Sequence, residues 1–205
     1  MTPQSILAEL VEESRISDPT GARGRLLRAA ARLFREKGYE RTTVRDLAAA
    51  IGIQSGSLFH HFRSKEDILK AVMEETIILN TELMRHALRQ ASTPVERMWA
   101  LIRSELESIN GQTGEAMAVL VFEWRSLSGD AQRDILKLRD VYEAMWLEVL
   151  GELKSTGEMS ADPFLTRRML TGALSWTVTW YRPDGPRNLD DMTDEVMAML
   201  GLIKR

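Results

Sequence analysis

Apolar residues recur along this chain every three or four positions, the spacing of helices that bury one face, and no stretch alternates as a strand does. Leu26, Leu27, Ala30, Leu33 and Phe34 form one stripe, closed by Gly38. Val44, Leu47, Ala48 and Ile51 form a second, opened by Thr43 with Asp46 three residues on and closed by Gly52. Ser64 with Asp67 repeats that opening before a long helix to about Gln90. Thr93, Pro94 and Glu96 predict another helix start, and Asp162–Pro163 and Asn188 with Asp191 open the last two. Gly111, Gly114, Gly129, Gly157 and Gly185 punctuate the rest. The predicted fold class is all-α.

Charge sorts the chain into regions. Residues 21–70 carry eleven Lys and Arg against five Asp and Glu, whereas 71–205 carry fifteen against twenty-one. A basic module on an acidic body is an electrostatic footprint for nucleic acid, although a solvated basic face would look the same. Residues 1–20 hold one Arg against four acids. That argues against a DNA-clasping arm. Ile6, Leu7, Leu10 and Val11 could line a short helix there, but partial disorder is the expectation for this N-terminal extension.

Composition removes several kinds of chemistry. With no cysteine there is no disulfide framework or thiolate metal site, and a reducing, cytoplasmic setting is expected. No apolar run reaches membrane-spanning length, and Met1–Leu10 lacks the features of a signal peptide. His60 and His61 point about 100° apart on a helix and cannot chelate one metal together. Neither a nucleophile elbow nor a phosphate-binding glycine loop is present, and Gly111–Gly114 reads as an interhelical turn. The expectation is no metal, no cofactor and no catalytic residue.

The informative stretch is residues 43–62. A short helix over about Thr43–Ala50, a turn at Gly52–Ile53, and a second helix from Gln54 or Ser55 through Phe62 make a helix-turn-helix. Leu58 and Phe62 face inward, while Gln54, Ser55, Ser57, Phe59 and His60 face out. The small residues Ser55, Gly56 and Ser57 permit close approach of a DNA backbone, and hydroxyls can donate to phosphates or base edges.

Taken in order, Thr42-Thr43-Val44-Arg45-Asp46-Leu47-Ala48, Gly52-Ile53, Gly56-Ser57-Leu58-Phe59-His60-His61-Phe62 and Ser64-Lys65-Glu66 resemble the DNA-binding domain of the TetR family of bacterial transcriptional regulators. The resemblance covers residues 24–70. It implies a homodimer in which a three-helix DNA-binding domain (21–70) precedes a larger helical domain for ligand binding and dimerisation (71–205). It also implies DNA contacts from Arg45, from Ser55, Ser57, His60 and His61 on the recognition helix, and from Lys65 to a phosphate. Thr43, Gln54, Gly56 and Phe59 complete the candidate surface. Phe59 stands where the family usually has tyrosine, and Gln54 where it has Ser or Thr.

All five tryptophans, Trp99, Trp124, Trp146, Trp176 and Trp180, lie in the body. They could be core packing, or together they could line an apolar cavity. Trp176 and Trp180 share one face of their helix with Met169 and Gly172. Leu170, Ala173, Leu174, Val178 and Tyr181 form a second stripe. The expectation puts the pocket on the first face and a symmetry-related subunit on the second, joined by Leu189, Met192, Val196, Met199 and Ile203 of the final helix. Candidate ligand residues are Trp99, Phe122, Trp124, Tyr142, Trp146, Trp176 and Trp180, with Arg125, Arg139 and Arg182 at the mouth. Those arginines could bind phosphate in a fork or simply balance an acidic body.

The run Trp176–Pro186 is similar to the corresponding segment of a TetR branch that represses sterol-ring and fatty-acid degradation and responds to CoA thioesters. The resemblance implies a ligand-responsive repressor of a palindromic operator, released by a hydrophobic effector such as an acyl-CoA. The alternatives are a multidrug-sensing repressor of an efflux gene, with Glu115, Glu123 and Glu148 as candidate partners for a cation, and a helical enzyme or lipid carrier on the same fold.

Overall fold

Side chains that close hydrogen bonds within a few residues set most of the helix starts in this computed structural model, which describes residues 2–202. In chain order the helices are α1 (Pro3–Glu12), α2 (Ala22–Lys37), α3 (Val44–Ala50), α4 (Ser55–Leu58), α5 (Lys65–Arg89), α6 (Pro94–Asn110), α7 (Gly114–Phe122), α8 (Gly129–Ser155), α9 (Pro163–Trp176) and α10 (Leu189–Met199). Two 3-10 turns, Trp124–Ser126 and Thr177–Thr179, follow α7 and α9. Capping boxes at Thr43–Asp46, Thr93–Glu96 and Asn188–Asp191, and an Asp162 cap, sit where the sequence places them. The protein is all-α, with no strand among the described residues. Ile203, counted with the last apolar stripe, lies outside the described residues.

The chain forms two compact units, one of residues up to 79 with 115–139, the other of 80–114 with residues from 140 on. In the first, Leu26, Ala30 and Phe34 of α2, Leu47 of α3, Leu58, and Ile68, Leu69 and Val72 of α5 make one core. Val119, Leu127, Ala131 and Ile135 join that core, so the stretch 115–139 belongs by packing with residues 21–70. Charge and motif gave no hint of this, because the partners lie more than forty residues apart in sequence. Residues 1–20 also differ from expectation. Pro3–Glu12 is a capped helix that buries Ile6 and Leu10, and Ile16 is buried after it. These burials favour an ordered segment by taking apolar side chains out of water.

In the second unit α6 packs against α9 and α10. Its buried residues include Leu101, Ile102 and Leu106 of α6, Trp146, Val149 and Leu150 of α8, Leu170 and Leu174 of α9, and Met192 and Met197 of α10. A charged cluster stands among them. The Arg167 guanidinium bonds Glu105 of α6 (3.1 Å) and Glu143 of α8 (2.8 Å) and lies 4.2 Å from the Trp146 ring centroid. The Tyr142 hydroxyl donates to Glu105 at 2.9 Å. Desolvation and the Glu105 charge hold that phenol well above its ordinary range.

Candidate functional site

The helix-turn-helix is built by local bonds and one internal staple. Thr43 N–H and Oγ1 both donate to Asp46 Oδ2 (2.9 and 2.8 Å), and Asp46 N–H returns a bond to Thr43 Oγ1 (3.1 Å). These donors hold the Asp46 carboxyl below its ordinary value. The hydroxyl of Thr43 therefore caps a helix. Gly52, at φ 71°, turns the chain toward α4, a backbone region that glycine enters without penalty. α4 itself ends at Leu58, earlier than the sequence predicts. The amides of Phe59, His60 and His61 then bond three residues back, a tighter winding that carries the chain to buried Phe62.

Gln54, Gly56, Ser57, Phe59, His60 and His61 are exposed, Ser55 is half-buried, and Arg45 is exposed on α3. Phe59 keeps 53% of its surface in water, high for a phenylalanine inside a folded unit. A Cβ at Gly56 would meet nothing within 4 Å, so the protein's own packing does not demand glycine there. Lys65, expected at a phosphate, bonds the protein's own backbone. Its Nζ donates to the carbonyls of Tyr39 (2.8 Å) and Thr42 (3.0 Å) and sits 4.0 Å from the Tyr39 ring centroid. It ties the chain entering α3 to the first turn of α5.

The candidate ligand residues do not converge. Trp146 is sealed in the core beneath Arg167. Trp99 donates its indole N–H to Asp194 of α10 at 2.7 Å. Trp124 is half-buried with the Arg139 guanidinium 5.9 Å away, while Phe122 and Arg125 are exposed. The two faces of α9 are exchanged relative to expectation. Leu170 and Leu174, assigned to a subunit interface, are buried within the chain, whereas Met169 and Trp176, assigned to a pocket, are 76% and 64% exposed. Both faces are apolar, so periodicity alone could not rank them. Arg167 goes with the buried face, three residues before Leu170, because Glu105 and Glu143 neutralise it there.

What does come together is a cleft of about 620 Å3 in the second unit, within the size range of small-molecule sites. Trp180 and Arg182, from the candidate ligand set, line it with Leu174, Met192, Val196 and Met199, from the candidate interface set. Val178 is half-buried nearby in sequence. Tyr181, a member of the second stripe, is also on its wall, with Arg187 and Glu195, which no pattern in the sequence marks. The loop after α9 could have drawn notice, since Arg182 and Arg187 flank Pro183, Gly185 and Pro186, residues that set a fixed turn. Among the described residues no cluster of His, Asp and Glu could hold a metal, and no helix is long and apolar enough to cross a membrane.

Comparison with known proteins finds two matching segments in sequence. Residues 26–72 match the bacterial regulatory proteins of the tetR family, and residues 91–202 match a tetracyclin repressor-like C-terminal domain. The transcriptional repressor KstR2 of Mycolicibacterium smegmatis is 30% identical over 187 residues, 90% of this chain and 91% of that one. The solved structure of superantigen pfit is 56% identical, covers 97% of this chain and 98% of its own, and superposes with a TM-score of 0.84. The structure of AibR in complex with isovaleryl coenzyme A and operator DNA is 25% identical, covers 89% and 99%, and gives 0.81.

Proposed function

Because this chain belongs to the TetR family of bacterial transcriptional regulators, we propose that it is a dimeric repressor that reads a two-fold operator and leaves it on binding an acyl-CoA. The observation that carries the DNA half is the surface around Gly56. Open space at its Cβ, flanked by exposed Ser57, Phe59, His60 and His61 with Arg45 on α3, suits a duplex backbone pressed close. Residues 21–70 are assigned to this task. Thr43 and Lys65 support it from within rather than by touching DNA.

Residues 71–205 are assigned to effector binding and dimerisation. The cleft offers apolar wall from Leu174, Trp180 and Met192 for an acyl group, and Arg182 and Arg187 as planar donors for phosphates. AibR, similar in fold and sequence, is seen with an acyl-CoA and its operator. Subunit contact is reassigned to the exposed face of α9, where Leu165, Met169 and Trp176 leave an apolar patch that a lone soluble chain rarely keeps, with Met199 of α10 alongside.

A mobility-shift assay tests this on a duplex enriched from a random pool by the protein itself. A long-chain or polycyclic acyl-CoA should release the duplex, while free acid and free CoA release it poorly, and Trp180→Ala should blunt the response. If thioesters leave the complex intact and a cationic drug dissolves it, the efflux-sensor reading wins; Glu195 on the cleft wall is the observation in its favour. If no duplex is enriched, a superantigen role, the name carried by the protein 56% identical to this chain, takes precedence.

A further inference from the structure

Side chains from three parts of the fold meet beneath the end of the recognition segment. Ser17, on the chain between α1 and α2, gives its N–H to Glu75 Oε2 (2.9 Å) and its hydroxyl to Glu75 Oε1 (2.8 Å) on α5. Arg23, at the start of α2, donates Nε to Ser17 Oγ at 2.8 Å and reaches the same carboxylate at 3.5 Å. The guanidinium then lies 4.2 Å from the ring centroid of Phe62, the buried residue that ends the recognition segment, and 3.5 Å from the carbonyl of His61.

The stretch leading into this cluster is fastened along its length. Ile6, Leu10 and Ile16 are buried. Arg25 donates to the Thr20 carbonyl (2.7 Å) and Arg28 to the Pro19 carbonyl (2.8 Å). A Cβ on Gly24 would stand 2.1 Å from the Asp18 carbonyl oxygen and 2.8 Å from Pro19 Cα, so the strand of chain at 18–19 lies flat on α2 only because residue 24 has no side chain. Three arginines that a charge count credits to nucleic acid, Arg23, Arg25 and Arg28, are thus aimed at the protein's own N-terminal segment.

We infer that residues 2–20 form a strap that positions the recognition segment, with Ser17, Arg23 and Glu75 as positioning residues that act through Phe62 and His61 and touch no DNA. The inference rests on the DNA-reading role proposed above. A positioning residue and a phosphate contact leave different marks. Loss of a phosphate contact weakens binding to every sequence alike and lowers the salt slope by about one unit. Loss of positioning lets the base-reading side chains miss their register, which weakens the chosen sequence and spares the rest.

The experiment uses the full chain with Arg23→Ala, Glu75→Gln and Ser17→Ala, and Ser17→Thr as the conservative partner that keeps both donors. The probes are the duplex the unmodified protein enriches from a random pool and a scrambled duplex of equal length. Arg23→Ala and Glu75→Gln should weaken the enriched duplex by about tenfold, a loss of about one order in affinity. The scrambled duplex should be bound as before, with the salt slope held to within about half a unit. Ser17→Thr should restore selectivity relative to Ser17→Ala. Hydrogen exchange without DNA supplies a second arm: amides of residues 59–62 should exchange faster in Arg23→Ala and Ser17→Ala than in the unmodified chain. Equal loss on both duplexes with a lower slope would make Arg23 a phosphate contact and overturn the strap, as would unchanged exchange at 59–62. A chain that enriches no duplex defeats the regulator reading, and the exchange arm still judges the strap.

Discussion

Several cations of the two units are anchored differently. In the first, Lys65, Arg25 and Arg28 donate to backbone carbonyls, and Arg41 does the same toward the Lys37 carbonyl at 2.6 Å. A carbonyl fixes the position of a cation without cancelling its charge. Geometry and a basic field are obtained together, and residues 21–70 keep eleven cations against five acids. In the second unit each of three arginines takes two carboxylates. Arg97 bonds Glu148 and Glu152, Arg103 bonds Glu107 and Asp190, and Arg167 bonds Glu105 and Glu143. There each pairing offsets a cation's charge locally, and residues 71–205 carry fifteen cations against twenty-one acids. The desolvation of such a pair is repaid only while every partner stays in place.

The largest effect should therefore come from the second unit. Arg167→Ala strands Glu105 and Glu143 in the core, and a urea titration should show a loss of about 3–5 kcal/mol. Arg167→Met with Glu105→Gln should recover a substantial part of it; recovery of nothing would mean that the shape of the site, rather than its charge, carries the stability.

Next comes the exposed face of α9. Trp176→Glu should raise the dimer dissociation constant by about thirtyfold, the scale of a hot-spot loss, as measured by sedimentation. The same change should cost the folded chain little, since Trp176 is 64% exposed. An unaltered dimer would move the interface elsewhere.

In the first unit Lys65→Ala removes two charge-assisted hydrogen bonds and should cost about 1.5–3 kcal/mol in thermal unfolding while leaving the salt slope of DNA binding alone. Arg63→Ala, at an exposed cation beside the recognition segment, should do the reverse, lowering the slope by about one unit at little cost in stability. If Lys65→Ala moves the slope, the contrast between inward and outward cations fails.

The smallest effect is a pH dependence. Hydrogen bonds from Lys70 (2.7 Å) and Lys137 (3.0 Å) lower the Asp134 carboxyl from its ordinary 3.8 to about 2. Its folded value lies below the unfolded one. The contribution is complete above 3.8 and is lost as pH falls through about 2. Asp134→Asn should flatten the acid limb of a stability curve in that window and leave neutral pH nearly unchanged. An identical acid limb in the variant would show that the Lys70 contact contributes nothing.

How far the sequence could be read depends on the reach of each interaction. The capping boxes at Thr43–Asp46, Thr93–Glu96 and Asn188–Asp191 were legible because both partners sit within three residues. So was the inward turn of Leu58 and Phe62. Arg23, Ser17 and Glu75 were not, since the bond from Ser17 spans fifty-eight residues and nothing local marks it. The inward bonds of Lys65 were not legible for a related reason. Family position assigns it to a phosphate, and only the fold brings two carbonyls within reach. The faces of α9 turned on a single buried arginine whose partners come from two other helices.

The five indoles stand in environments different enough to report separately. Trp146 is walled off from water beneath a guanidinium, and Trp99 is fixed to a carboxylate of α10. Trp176 and Trp180, 64% and 56% exposed, emit into solvent. Removing Trp124 and Trp99 by phenylalanine would leave an emission spectrum made of one dry, constant component and one wet component. The wet one would shift to the blue when a second subunit covers Trp176, and change in intensity when a thioester fills the cleft beside Trp180. Association and ligand entry could then be timed as two optical events in one cuvette, with no label attached.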